Sequence, residues 1–140
     1  MAIISYVGFV FYRAWDYDKP LDLFNYESCK TVSDFPGVED LQMFGNVAIG
    51  ITSDYVDLEE HGKDYIKKGG LVVIDPKEQS VKALPITNFP EDVAFHPHGL
   101  FIFENLLLYV VNHAYEKGGE RVEVFSLLKK PVTATYMYSI

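Results

Sequence analysis

From Cys29 onward the chain is cut into apolar runs of five to seven residues, separated by Gly, Pro, Asp and Asn. Such runs are too short for packed helices and about the length of strands. Their enrichment in Val, Ile, Leu, Phe and Tyr suits a pleated, half-buried surface. Strands are expected near Leu41–Met43, Asn46–Thr52, Leu71–Asp75, Val81–Ile86, Leu100–Phe103, Leu106–Asn112, Val122–Leu127 and Thr133–Tyr138. Only Asp57–Lys68 could form a helical turn, and Gly62 interrupts it, so it reads as a long loop. The expected class is all-β.

The strands repeat. Asn46-Val-Ala-Ile-Gly-Ile-Thr resembles Asn105-Leu-Leu-Leu-Tyr-Val-Val, 59 residues later. Gly70-Leu-Val-Val-Ile-Asp resembles Arg121-Val-Glu-Val-Phe-Ser, and Val81-Lys-Ala-Leu-Pro-Ile resembles Val132-Thr-Ala-Thr-Tyr-Met, each 51 later. The longer first spacing is assigned to the loop at Ser53–Gly69. A period of about 50 residues, with about four short strands per unit, is the signature of propeller blades. Two blades do not close a propeller, which takes roughly four to eight. Two alone would leave two apolar faces exposed. Residues 29–140 are therefore expected to be a partial β-propeller, either part of a larger protein or a unit that assembles with copies of itself.

Composition narrows the classes further. With 49% hydrophobic and 15% aromatic residues in 140, the chain is neither a disordered tail nor a fibre, and one cysteine makes no disulfide scaffold. The net charge of −8 argues against a nucleic-acid partner. All of it lies in residues 1–60, where eleven acids face three bases; residues 61–140 carry nine of each. This is a solvated acidic face or, in part, a set of carboxylates for hard cations such as calcium.

Met1 to Tyr12 carries no charge and Arg13 ends the run. Twelve residues cannot span a bilayer, which takes about 20. The segment fits the apolar core of a secretory signal or a membrane-surface anchor, with a buried strand as the alternative. Arg13–Glu27 is mixed and acidic, a connector. Residues 1–28 thus form a signal- or anchor-like segment plus connector, which places the protein outside the cell or on a membrane. Cys29 has no CxxC partner, so a structural zinc site is not expected. It is either a small buried hydrophobe or half of a disulfide whose partner is not in this chain.

Three groups could carry chemistry. In Phe35-Pro-Gly-Val-Glu-Asp-Leu-Gln42, a turn delivers two adjacent carboxylates to the start of a strand. Neighbouring strand side chains point to opposite faces, so Glu39 and Asp40 would serve two separate ions. In Phe95-His-Pro-His-Gly-Leu100, Pro97 and Gly99 force an irregular backbone around His98, which suits a side chain aimed into a cleft and a general base near neutral pH. His96 and His98 could also ligate zinc, but no third ligand stands at a familiar spacing. In Tyr109-Val-Val-Asn-His113 the histidine ends an apolar strand, and could orient the first histidine. His61 reads as an ordinary loop residue.

These stretches resemble the first part of the serum paraoxonase/arylesterase family, calcium-dependent six-bladed β-propeller hydrolases. Gly37-Val-Glu-Asp-Leu, Gly70-Leu-Val-Val-Ile-Asp, Phe95-His-Pro-His-Gly, Tyr109-Val-Val-Asn-His and Val122-Glu-Val-Phe occur in the family's order and near its spacing. The resemblance covers about residues 29–140. It implies that Glu39 is a ligand to a catalytic calcium, and that Asp40 and the Leu100 carbonyl are ligands to a structural one. It implies His98 as the water-activating base and His113 as its partner. Cys29 matches a cysteine disulfide-linked to one near the family's C-terminus, absent from this chain. The apolar start matches a retained signal used for membrane or lipoprotein attachment. The implied substrates are small apolar aryl esters or lactones. Family chains are much longer, and their other calcium ligands lie on later blades, so both calcium sites are expected to be incomplete here. The family usually has Asn at the position of His96 and Pro at that of Ala114. Three readings follow: a truncated arylesterase, inactive alone; a non-catalytic secreted or membrane-associated propeller-type binding protein; and a self-assembling strand domain.

Overall fold

Strands in this protein begin and end where the sequence changes its local chemistry. The computed structural model describes residues 28–33, 35, 37–53, 70–104, 106–115 and 118–140. Among these are β1 (Val38–Phe44), β2 (Val47–Thr52), β3 (Gly70–Asp75), β4 (Ser80–Ala83), β5 (Ile86–Thr87), β6 (Pro97–Phe103), β7 (Leu107–Ala114), β8 (Gly119–Lys129) and β9 (Val132–Ser139). All fall within one compact unit, Thr31–Ile140. The predicted loop at Asp57–Lys68 and the apolar segment and connector up to Glu27 lie outside the described residues. Among those described, no helix is long and apolar enough to cross a membrane.

The turns follow from residue type. Gly45 takes φ +66° in the two-residue turn between paired Phe44 and Val47, a conformation glycine enters without steric cost. Asp75 closes the next hairpin, its Oδ1 accepting the N–H groups of Lys77 and Glu78 at 2.9 and 3.0 Å.

The strands form two sheets, β1-β2-β3-β4 and β5-β9-β8-β7-β6. The all-β expectation holds, with two corrections. Val81–Ile86 is not one strand. Pro85 has no N–H to give a ladder, and the chain changes sheets there. The Leu84 N–H still reaches Leu71 O on β3 at 2.8 Å, whereas Pro85 O accepts the Ala134 N–H of β9 at 3.0 Å. β5 then pairs with β9 in parallel, so the second sheet has five strands and is not purely antiparallel.

The second correction concerns the repeat. Ile51 pairs with Leu71, but their sequence-matched counterparts, Val110 and Val122, do not pair. Val110 pairs with Glu123, and Val122 with Val111. One matched spacing is therefore a residue out, and one residue exchanges the faces of a strand. The seam between the sheets decides which. Asp40 Oδ2 accepts the Leu100 N–H at 2.9 Å; Gln42 Oε1 accepts the Ile102 N–H at 2.6 Å, and its Nε2 donates to Ile102 O at 3.4 Å. The partners ascend together, so β1 and β6 run parallel. Sheets with parallel leading strands stack front to back. The core-facing Ile51 of β2 then matches the outward Val111, and Leu71 keeps its match to Val122. The error lay in the spacing of β2 to β7.

The core fills the space between the sheets, with Ile49, Ile51 and Leu71 from the first and Leu108, Val110, Phe125 and Leu127 from the second. Phe89, Phe95, Phe125 and Tyr136 add an aromatic cluster, with neighbouring ring centroids 4.9–6.1 Å apart.

Candidate functional site

At the start of β1 the register slips between Val38 and Asp40, so the simple alternation expected for Glu39 and Asp40 does not hold, and both carboxylates reach β6. Asp40 turns to the seam and holds the Leu100 N–H. That N–H faces away from β7, and in a strand the carbonyl of the same residue shares its edge. The Asp40 carboxylate and Leu100 carbonyl therefore lie on one edge. Glu39 reaches the same strand two residues earlier, its Oε2 standing 3.5 Å from His98 Nε2.

His98 sits where the β6–β7 register slips between Pro97 and Gly99. This is the irregular backbone anticipated from the flanking Pro and Gly, and such a bulge re-aims a side chain. The His98 side chain is 57% exposed, so water reaches it. His113, near the end of β7, brings its ring centroid to 5.1 Å from that of His98. Its Nδ1 lies 2.5 Å from Glu120 Oε2, and the Tyr115 ring stacks on it at 5.3 Å. Glu39, His98 and His113 thus converge from β1, β6 and β7.

Behind this cluster stands a buried polar network absent from the sequence reading. Asn112 and Glu123 are fully buried. Asn112 Oδ1 accepts the His96 N–H at 2.7 Å, and its Nδ2 donates to Ala94 O at 2.9 Å and Glu123 Oε1 at 2.8 Å. Glu123 Oε2 accepts from the Ser139 hydroxyl at 2.5 Å, and that oxygen lies 2.9 Å from the Tyr136 hydroxyl. Arg121 Nε is 3.9 Å from Glu123 Oε1. His96 O in turn accepts the His113 N–H at 3.0 Å. The network ties the segment leading into His98 to the middle of the second sheet. Among the described residues no buried side-chain nitrogen or oxygen lacks a partner, the condition under which a buried network rigidifies rather than destabilises.

The sequence reading missed Glu120, Gln42, Asn112 and Glu123. Asn112 stood inside a motif that had been singled out, beside His113. Glu120 had no local signal, because its relation to His113 is the cross-strand pairing of β7 with β8.

Carboxylate and carbonyl oxygens are the donors a hard cation takes, so Glu39, Asp40 and Leu100 fit calcium by type. They do not fit by number, since calcium takes about 6–8 oxygens. Among the described residues no group of three or more His, Cys, Asp or Glu is placed to hold an ion, and the His96–His98 pair gains no third zinc ligand. Cys29 is exposed, against the buried alternative. His61 lies outside the described residues. Neither a family model nor a curated protein matches this chain.

Proposed function

We propose that this chain supplies the first two blades of a calcium-dependent six-bladed propeller hydrolase acting on small apolar aryl esters and lactones. The observation that carries the reading is the convergence of Glu39, His98 and His113 beside the Asp40–Leu100 edge. The propeller half rests on the seam. Parallel β1 and β6, with front-to-back matching of the sheets, is the relation between neighbouring blades, whereas two sheets facing across a two-fold axis would bring equivalent faces together.

His98, exposed and steered by its bulge, removes a proton from water, a step worth typically 10²–10⁴-fold. His113 stands next to it and takes part in that proton transfer. Glu39 belongs to the catalytic ion and, at 3.5 Å, also orients His98. Asp40 and the Leu100 carbonyl belong to the structural ion, across the seam. When bound, calcium polarises the ester carbonyl and stabilises the developing oxyanion. Met1–Tyr12 attaches the protein to a membrane or lipoprotein surface, and Cys29 pairs with a cysteine outside this chain.

Ligand counting sets the test. With one carboxylate per ion and one added carbonyl, the 140-residue chain binds calcium weakly and hydrolyses phenyl acetate no faster than buffer. Joined to its remaining blades it turns over, loses activity to chelator, and drops sharply in Glu39→Ala and His98→Ala. Chelator-sensitive turnover by the short chain would overturn the ligand assignment. An inert complete propeller would favour the non-catalytic binding protein.

A further inference from the structure

We propose that Glu120 is a positioning residue that sets the tautomer of His113, making the histidine pair the end of a carboxylate–imidazole–imidazole chain. The tautomer claim rests on geometry alone; its consequence for proton transfer rests on the hydrolase reading above.

Glu120 is the second residue of β8 and pairs directly with His113 of β7. The hairpin that sets this register closes through Gly118 and Gly119, both at positive φ, which L side chains rarely adopt. Glu120 Oε2 lies 2.5 Å from His113 Nδ1. An ionised carboxylate only accepts hydrogen bonds. Nδ1 must therefore carry a proton, and in the neutral ring Nε2 is left with its lone pair. In water a neutral histidine prefers the opposite arrangement, with the proton on Nε2.

Three further contacts hold the ring. The Tyr115 ring lies 2° from parallel with it. The His113 N–H is tied to His96 O at 3.0 Å. The His98 ring stands 5.1 Å away on its own carboxylate, Glu39. An exposed His–Glu pair alone contributes little to stability, and the Glu120 side chain is 57% exposed. What distinguishes this pair is its place: it decides whether His113 offers a proton or a lone pair to the cluster. With Nε2 unprotonated, His113 can accept the proton that His98 takes from water. Glu120 then stabilises the resulting imidazolium, as the third member of a triad does.

The test is long-range 1H–15N correlation on the imidazole of His113 in the 140-residue chain, at a pH where the ring is neutral. The wild-type ring is expected as Nδ1–H. Glu120→Gln, whose amide oxygen still accepts, should keep that form. Glu120→Ala should switch it to Nε2–H while the amide spectrum of the strands stays in place, since the residue is exposed. An Nε2–H wild type, or an unchanged ring in Glu120→Ala, would overturn the proposal. In any form that hydrolyses phenyl acetate, Glu120→Ala should lower kcat by about 10²-fold or more with KM unchanged. A correct tautomer beside an inert complete propeller would retire the hydrolase reading and leave the positioning role standing.

Discussion

The two sheets share a strand order, and matched by register they fill the same positions with opposite chemistry. In the first sheet Gly50 pairs with Val72, and Thr52 with Gly70. In the second, the matching pairs are Val110 with Glu123 and Asn112 with Arg121. The first version is apolar and tight: a Cβ on Gly50 would come within 3.1 Å of Val38 Cγ1 and 3.2 Å of Val72 Cγ2. Its one polar side chain, Thr52, is satisfied by Gly70 O at 3.4 Å. The second version buries a carboxylate and an amide and satisfies both, through Ala94 O, the His96 N–H and the Ser139 hydroxyl. The edge strands at the seam differ likewise. Asp40 and Gln42 of β1 clamp the edge of β6, while the matching positions on β6 are Gly99 and Phe101, which have no side-chain hydrogen-bonding group. Matched backbones thus carry apolar packing in one sheet and a buried polar network in the other.

Exchanging residues between matched positions tests this contrast. Val72→Glu should have the largest effect. Among the described residues its pairing partner, Gly50, offers no side-chain donor, and an unpaired buried carboxylate is costly. A loss of more than about 4 kcal/mol by chemical denaturation, or no folded protein at all, is expected. A mild effect would mean that the two positions are not equivalent.

The reverse exchange, Glu123→Val, should cost about 3 kcal/mol, because Asn112 and Ser139 each lose a partner in a buried setting. It should also loosen the segment carrying His96, read as faster amide exchange there. Unchanged exchange at His96 would separate the network from the site.

At the seam, Asp40→Ala leaves the Leu100 N–H without its acceptor and should cost about 1–2 kcal/mol. Asp40→Asn, which still accepts, should recover most of that loss, and equal losses in the two variants would show that the clamp contributes nothing. Phe101→Gln is expected to be smallest, within about 0.5 kcal/mol, because Phe101 is 57% exposed.

Much of this is legible in the sequence. Seven of the eight expected strands lie where the apolar runs put them, and Pro97 and Gly99 announced the bulge at His98. Alternation leads Glu39 and Asp40 to be expected on opposite faces, whereas the bulge at the start of β1 leaves both against β6. Other features were hidden for identifiable reasons. The run Val81–Ile86 looks continuous, yet Pro85 passes the chain to another sheet, which depends on where β9 lies. The match of Asn46–Thr52 to a segment 59 residues later scored side-chain likeness, and likeness cannot detect a slip of one residue when both faces are apolar.

The sequence by itself determined the all-β class, the positions of most strands and the residue types able to act as base or as hard-cation ligands. These depend on local alternation and backbone preference, which each segment carries alone. The tertiary structure decided the hand-over at Pro85, the true step of the repeat, the clamp of Asp40 and Gln42 on β6, and the pairing of Glu120 with His113. Each of these depends on register between segments distant in the chain. With a side-chain period of two, a single residue of register decides which face, and therefore which partner, a side chain meets.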